Sequence, residues 1–288
     1  MRFEPVITHD IPPLPPRRDD AHKGEAGRIV IIGGQHGEVT MVGAVALAAR
    51  AAFRAGCGTV QMIVPAPLQT AAVTLAPCAT AHRLNNDAGK LLDAVAGFMA
   101  DVLAVGPGMG DSVSGSVLAD VICGFPGPIV LDADALNLVA TLDAFEPPGA
   151  ERLIITPHIG EMRRLLTGRG INAPPQDRTE AARALVAAYH GVVVLKGMGT
   201  IVTDGDRLYV NKTGNPGMAT GGTGDVLTGV IAALLGQGMT PFHASVLGVY
   251  LHGLAGDHAA DALGRRAMTA ADVVEFLPHA LQAHERRT

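Results

Sequence analysis

Short runs of β-branched and aliphatic residues recur along the chain, separated by longer stretches rich in Ala and Leu. The runs 28–32 (RIVII), 59–64 (TVQMIV), 102–105 (VLAV), 128–131 (PIVL), 153–156 (LIIT) and 192–195 (VVVL) are nearly continuous in apolar character, which predicts parallel strands covered on both faces. The stretches between them predict helices over 43–55, 88–100, 114–123, 135–141, 160–166 and 179–189. This alternation is the signature of an α/β fold with a mostly parallel central sheet and helices on both faces, a three-layer sandwich.

The pattern changes toward the end. Segments 199–203 and 208–210 flank Asp204-Gly205, a favoured hairpin turn, and three apolar helices are expected over 220–235, 241–260 and 269–281. At the start, 11–18 (IPPLPPRR) predicts an extended arm, because proline fixes φ and removes donors. The expected organisation is an arm over 1–22 and a single domain over 23–288, with 167–176 as an ordinary surface loop.

Composition narrows the function classes. With 48% hydrophobic residues among 288, the chain can bury one large core. Aromatic residues make up only 3%, Trp is absent and the formal net charge is -5, so a nucleic-acid partner is not expected. Cys57, Cys78 and Cys123 are scattered and read as buried small apolar residues in a reducing compartment. No secretory leader and no apolar stretch of membrane-spanning length is seen, so the reading is a soluble, cytoplasmic protein without a membrane partner.

The most informative string is Asn215-Pro-Gly-Met-Ala-Thr-Gly-Gly-Thr-Gly-Asp-Val-Leu227, a glycine-dense loop entering an apolar helix. Glycines let backbone N–H groups converge on phosphate oxygens, and the helix start adds unpaired donors and a positive dipole end. Gly222, Thr223 and Gly224 are therefore candidates for stabilising a transferring phosphoryl group. Asp225 would repel a phosphate, and that cost has a purpose if its carboxylate accepts a proton from an attacking hydroxyl; the alternative is a helix cap. No Lys follows the glycines as in a Walker loop, so Lys196, at the end of a predicted strand in Lys196-Gly-Met-Gly-Thr200, is the candidate cation, or else a solvated strand end.

Other predicted strand ends carry Gly33-Gly34, Gly106-Pro-Gly-Met-Gly110, Asp132-Ala-Asp-Ala-Leu-Asn137 and Thr156-Pro-His-Ile-Gly-Glu161. Asp132 and Asp134 either hold Mg²⁺ through water or cap the next helix. His158 and Glu161 either contact substrate or bond at a helix start, while His252 and Asp257 read as satisfied packing polars. No metal ligand set is assigned.

Together with Lys23-Gly24, Gly43-Ala44 and Arg54-Ala-Gly-Cys-Gly58, these strings resemble the ADP-dependent (S)-NAD(P)H-hydrate dehydratases of the ribokinase-like superfamily, from Lys23 to about Asp257. The Gly-Thr-Gly-Asp element is common to small-molecule kinases of that superfamily, whereas Thr156-Pro-His-Ile-Gly-Glu-Met162 and Asp132-Ala-Asp-Ala-Leu-Asn137 carry the narrower likeness. The resemblance implies a ribokinase-like fold and repair of hydrated NADH or NADPH, with ADP as co-substrate (ATP being the other candidate), Mg²⁺ as cofactor, and AMP and phosphate as products. It places Lys196, Gly197, Met198, Gly199, Thr200 and Gly224 at the nucleotide, and Ala44, Gly108, Gly110, His158 and Asp225 at the hydrated substrate. It also suggests a homotetramer. The family's dehydratase domain is sometimes fused to an N-terminal epimerase domain, for which this chain leaves no room. There are two departures from the family pattern: the 35–42 segment is longer than usual, with Gln35 where Ser is common, and Cys57 replaces Ala. The competing readings are a kinase releasing a stable phosphate ester of a small alcohol, such as a thiazole or pyrimidine vitamin precursor, and a non-catalytic nucleotide sensor.

Overall fold

The structure, a computed structural model, describes residues 6–142, 145–149, 151–172 and 175–287. Residues 1–5 of the expected arm, 173 and 174 of the expected surface loop and residue 288 lie outside the described residues. Among the described residues there are ten strands: β1 (Val6–Ile7), β2 (Arg28–Ile32), β3 (Thr59–Val64), β4 (Thr80–Arg83), β5 (Val102–Val105), β6 (Ile129–Leu131), β7 (Leu153–Ile155), β8 (Val192–Leu195), β9 (Ile201–Thr203) and β10 (Arg207–Val210). They form one sheet in the order β1-β10-β9-β8-β7-β6-β5-β2-β3-β4. Only β9 runs against its neighbours, as the predicted hairpin requires, and Asp204 closes that turn by accepting from the backbone N–H of Arg207 at 2.8 Å.

The helices are α1 (Gly43–Arg54), α2 (Gln69–Leu75), α3 (Ala88–Phe98), α4 (Gly115–Gly124), α5 (Ala133–Val139), α6 (Ile159–Gly168), α7 (Arg178–Tyr189), α8 (Thr223–Gly236), α9 (Pro241–Leu263) and α10 (Ala270–Glu285). They cover the sheet on both faces, and the strands record this residue by residue. Ile29 and Ile31 of β2 enter the core beneath α1, α8, α9 and α10, while Val30 and Ile32 enter the core on the side of α3 to α7. Since successive side chains of a strand point to opposite faces, two-sided burial requires the unbroken apolar run that the sequence carries. Helix α8 is buried almost all round, and Gly229 lets it lie against α1, because a Cβ there would come within 2.1 Å of the Ala48 carbonyl oxygen.

Strand β2 lies between β3 and β5, so the chain runs outward in one direction from β2 to β4 and in the other from β5 to β8. The order therefore reverses between β2 and β5, where open α/β sheets place their ligand crevice beyond the strand carboxyl ends. Gly33-Gly34 follows β2 and the Gly106 turn follows β5, on either side of this point, with Gly34 N donating to the Pro107 carbonyl at 3.0 Å.

The arm packs Ile11 and Leu14 against the core, His284 Nε2 lies 2.9 Å from the Pro12 carbonyl oxygen, and Arg17 donates to the Gly56 carbonyl. The cysteine expectation is corrected: Cys57 is buried, but Cys78 lies in the turn between α2 and β4 and Cys123 on the outer face of α4, both exposed. The hydrophobic pattern of the sequence does not mark strands β1 and β4 or helix α2. The first two are short, largely uncovered edge strands, and α2 is too short to establish a helical period.

Candidate active site

The carboxyl ends of β6, β7 and β8 carry Asp132, His158 with Glu161, and Lys196 into one cluster beneath the N-terminus of α8. Ala133 makes the first part of it possible. It sits at φ 50, a left-handed conformation that costs an ordinary residue roughly 1–2 kcal/mol. That turn sends Asp132 inward and Asp134 sideways: Asp132 reaches Lys196 Nζ at 2.5 Å and Thr228 Oγ1 at 2.8 Å, whereas Asp134 accepts from the Gly110 N–H at 2.8 Å. Neither carboxylate caps α5, which decides against the capping alternative for both. Gly106 is obligatory beside them, since a Cβ there would sit 1.8 Å from the Asp132 carbonyl oxygen.

Complete burial would favour the neutral acid of Asp132, but the Lys196 charge and hydrogen bonds from Lys196, Thr156 and Thr228 hold its carboxyl below the usual range. Burial likewise works against the Lys196 ammonium, and Asp132 and Glu161 outweigh it, raising its pKa. Lys196 is thus not a solvated strand-end cation; its charge is committed to two carboxylates, at 2.5 and 3.8 Å.

His158 caps α6. Its Nδ1 accepts from Gly160 N at 2.9 Å and Glu161 N at 3.2 Å, and Glu161 Oε2 accepts from His158 N at 2.8 Å in return. An Nδ1 that accepts leaves the proton on Nε2, which lies 3.3 Å from Glu161 Oε1. The helix-start bond is therefore made, while 54% of the His158 side chain stays exposed. Glu161 is raised by burial, against the Lys196 charge.

Asp225 lies on the first turn of α8. The capping position is taken by Gly222 at φ 94, and no donor among the described residues bonds the Asp225 carboxylate. Burial, then the charge of Asp132, push its carboxyl up to about 7, with Lys196 pulling down and Asp134 and Glu161 adding to the rise. A carboxyl in that range is poised to take a proton near neutral pH. Gly224 lies over the ion pair: a Cβ added there would be 3.4 Å from Lys196 Nζ and 3.7 Å from Asp132 Oδ2.

The glycine loop is held from behind by α9. Asp257 accepts from Gly214 N at 2.9 Å and Asn215 Nδ2 at 3.0 Å, and Asn215 Nδ2 also donates to the Gly256 carbonyl at 2.9 Å. Thr223 Oγ1 donates to the carbonyls of Met218 and Thr220 at 3.0 and 2.9 Å. Asp257 is thus a tether and not mere packing. His252 corrects the expectation of a satisfied packing group: its Nε2 is buried without a partner among the described residues, and burial pushes its pKa down to about 4 despite a backbone hydrogen bond at Thr223. The glycine pair Gly253 and Gly256 on this helix was the available signal, because glycines inside a helix mark close backbone approach.

Beyond Lys196, whose side chain belongs to the carboxylate cluster, the loop 197–200 leads away from β8 and is fixed by Arg178, the first residue of α7. Its guanidinium donates to the carbonyls of Leu195 at 3.1 Å, Lys196 at 3.4 Å and Met198. Gly197 at φ 139 admits the guanidinium, and Met198 projects outward, 96% exposed. On the other side of the crevice, Ala44 and the Met41 carbonyl both approach Gly108 so closely that a Cβ there would meet them at 3.0 and 2.9 Å. Ala44, Gly108 and Gly110 thus come together with Asp134 at the switch point, and Asp134 links them to Asp225.

A mostly parallel sheet whose ligand edge meets a glycine-entered helix, with a half-buried carboxyl on its first turn, defines a ribokinase-like α/β protein. Ribokinase of Thermotoga maritima shares this fold at a TM-score of 0.57 with 14% identity, covering 90% of this chain and 99% of that one. A family model described as NAD(P)H-hydrate dehydratase matches residues 29–279, and the chain belongs to that family. It is 43% identical over 280 residues to the bifunctional NAD(P)H-hydrate repair enzyme Nnr of Moorella thermoacetica, covering 93% of this chain and 52% of that protein. It is 38% identical to the ADP-dependent (S)-NAD(P)H-hydrate dehydratase of Neisseria meningitidis, covering 86% of this chain and 82% of that protein. The ADP/ATP-dependent NAD(P)H-hydrate dehydratase of Bacillus subtilis, co-crystallized with ATP/Mg²⁺, superposes with a TM-score of 0.78 at 31% identity, over 95% of each chain. The chain spans about half the length of the first bifunctional relatives it matches. Among the described residues, no helix is long and apolar enough to cross a membrane.

Proposed function

We propose that the chain is an ADP-dependent dehydratase of the S epimer of hydrated NADH or NADPH, giving the reduced dinucleotide, AMP and phosphate. Its single domain over 23–288 works as a homotetramer in the cytoplasm, an assembly that light scattering on the purified chain tests. The observation that carries the activity is the Asp225 carboxyl, half-buried on the first turn of α8 where the glycine loop opens, with desolvation and the Asp132 charge pushing it up to about 7.

Hydroxide is a poor leaving group near neutral pH and phosphate a good one. Asp225 takes the proton of the ring hydroxyl as its oxygen attacks the terminal phosphorus of ADP; the bond from that phosphorus to the bridging oxygen breaks, and AMP leaves with the electron pair. The N–H groups of Gly222, Thr223 and Gly224 hold the transferring phosphoryl oxygens. The ring nitrogen lone pair then expels phosphate, and loss of a ring proton restores the double bond. Ala44, Gly108, Gly110 and His158 hold the hydrated nucleotide, while the loop of Lys196, Gly197, Met198, Gly199 and Thr200, with Gly224, receives the AMP portion.

Asp132, Glu161 and Asp225 face one ammonium and Asp134 adds its charge at Asp225, so a polyphosphate entering this edge meets an excess of negative charge. A hard divalent cation suits that carboxylate set, and Mg²⁺ is commonly held by one or two carboxylates together with substrate phosphates. Among the described residues no cluster of three such side chains is placed to hold the ion alone; Asp134 is the side chain that would hold it through water together with the substrate phosphates, and when bound it would offset charge on the phosphate oxygens. The deciding experiment mixes the purified chain with hydrated NADH, Mg²⁺ and ADP or ATP. Recovery of near-ultraviolet absorbance with release of phosphate supports the reading, and a stable phosphate ester without recovery identifies a kinase instead.

A further inference from the structure

The segment between β2 and α1 carries a side chain that the mechanism above leaves unused. Gln35 is half-buried, and its carbonyl accepts from Met41 N at 3.0 Å, which closes the segment on itself. The residue before it is pinned as well, for Ser112 Oγ donates to the Gly34 carbonyl at 3.0 Å. The Gln35 side-chain amide is thereby laid on the Gly110 turn: a Cβ on Gly110 would meet Oε1 at 2.1 Å and Nε2 at 3.0 Å. Only part of the amide is tied down within the chain, and the rest is open to the crevice side of the turn. Nε2 has only a long 3.4 Å contact with Asp111 Oδ1, and no donor among the described residues bonds Oε1.

We propose that Gln35 recognises the carboxamide of the substrate's nicotinamide ring through its own side-chain amide. This rests on the dehydratase reading. The Gly110 N–H is occupied by Asp134, so the turn cannot supply that donor to a ring amide, whereas Gln35 offers both an acceptor and a donor directly above it. A primary carboxamide presents the same two functions, and two such groups pair by reciprocal N–H···O=C bonds. The contact path from Gln35 through Gly110 to Asp134, whose charge acts on Asp225, places this amide on the base's side of the crevice. A ring with a carboxylate in place of the carboxamide has no donor for Oε1, so Gln35 selects against the nicotinic acid form.

Calorimetric titration of the AMP-saturated chain with NADPH, and separately with the nicotinic acid analogue of NADPH, tests this without requiring turnover. The expected result is about tenfold tighter binding of NADPH than of the analogue, a preference that Gln35→Met abolishes by weakening NADPH alone, since Met keeps the shape and loses both hydrogen bonds. Gln35→Glu is expected to weaken the analogue further, through like charge. If Gln35→Met leaves both affinities unchanged, or lowers both equally, the assignment of Gln35 is overturned while the dehydratase reading stands. If the parent chain binds neither dinucleotide, the dehydratase reading falls and this inference with it.

Discussion

The Lys196 ammonium lies 2.5 Å from Oδ1 of Asp132 while Thr228 donates to the other oxygen of the same carboxylate at 2.8 Å. The pair sits beneath Gly224, so the cation nearest the glycine loop is already neutralised before any phosphate arrives. Breaking it leaves a buried charge with a poorer partner. Asp132→Asn is expected to lower unfolding free energy by about 3 kcal/mol, and Asp132→Asn with Lys196→Met by less than the sum of the single changes. Urea denaturation of the four proteins checks this; strict additivity would mean the two groups act independently.

Because Lys196 is the group that pulls the Asp225 carboxyl down, its removal acts on the base as well. Activity that needs ionised Asp225 is expected to rise with pH through about 7 and then level off. In Lys196→Met that rise should move to higher pH. A pH profile of kcat/KM with an unmoved midpoint would detach Lys196 from Asp225.

The same carboxyl ties activity to stability. Its ordinary value is 3.8, and in the folded chain it titrates at about 7, so between these values the folded state binds the proton more tightly than the unfolded state. Stability from this group is therefore complete below the lower value and is lost as pH rises toward the upper one. Asp225→Asn is expected to abolish turnover, leave ADP affinity close to the parent's, and at about pH 8 stabilise the chain by roughly 2–4 kcal/mol, with little gain near pH 4. Thermal melts at both pH values and calorimetry with ADP check it; equal loss of binding and turnover would make Asp225 a structural residue.

How far the sequence can be read here depends on where the constraint comes from. The strands from β2 to β8 that lie inside the sheet are legible because two-sided burial leaves little room for polar positions, as Ile29 to Ile32 and Val102–Val105 illustrate. Thr80–Arg83 pairs along one side only and keeps polar residues, so nothing local marks it as β4. Asp225 is legible as an acid out of place beside an anion loop. Arg178, Gln35 and Asp257 are not, since their partners lie 17 to 20, 76 and 42 to 43 residues away and chain folding alone brings them together.

Arg178 illustrates what such a distant partner does. It fills the carbonyls of Leu195, Lys196 and Met198 at once, which a single ammonium cannot reproduce. Arg178→Ala is expected to weaken ADP binding by about tenfold while kcat at saturating ADP changes little, and Arg178→Lys to recover only part of the loss. A fall in kcat with unchanged ADP affinity would place Arg178 outside nucleotide binding.

The seat of the glycine loop on α9 gives a sharper contrast between two neighbouring glycines. A Cβ at Gly253 would come within 2.3 Å of Thr213 Oγ1 and 2.7 Å of the Thr213 backbone carbon, so the loop itself must move. At Gly256 the added Cβ meets the Met218 sulfur at 2.3 Å, the flexible end of a side chain that can turn aside. Gly253→Ala is therefore expected to lower kcat by about tenfold or more, because the donors from Gly222 to Gly224 lose their alignment, whereas Gly256→Ala should cost severalfold less. Asp257→Ala frees Gly214 N and Asn215 Nδ2 together, and should fall with Gly253→Ala. Steady-state kinetics combined with hydrogen exchange over 214–224 separates the cases: faster exchange in Gly253→Ala and Asp257→Ala, near-parent exchange in Gly256→Ala. Equal behaviour of the two alanine variants at the glycines would mean that the loop's alignment does not depend on its contact with α9.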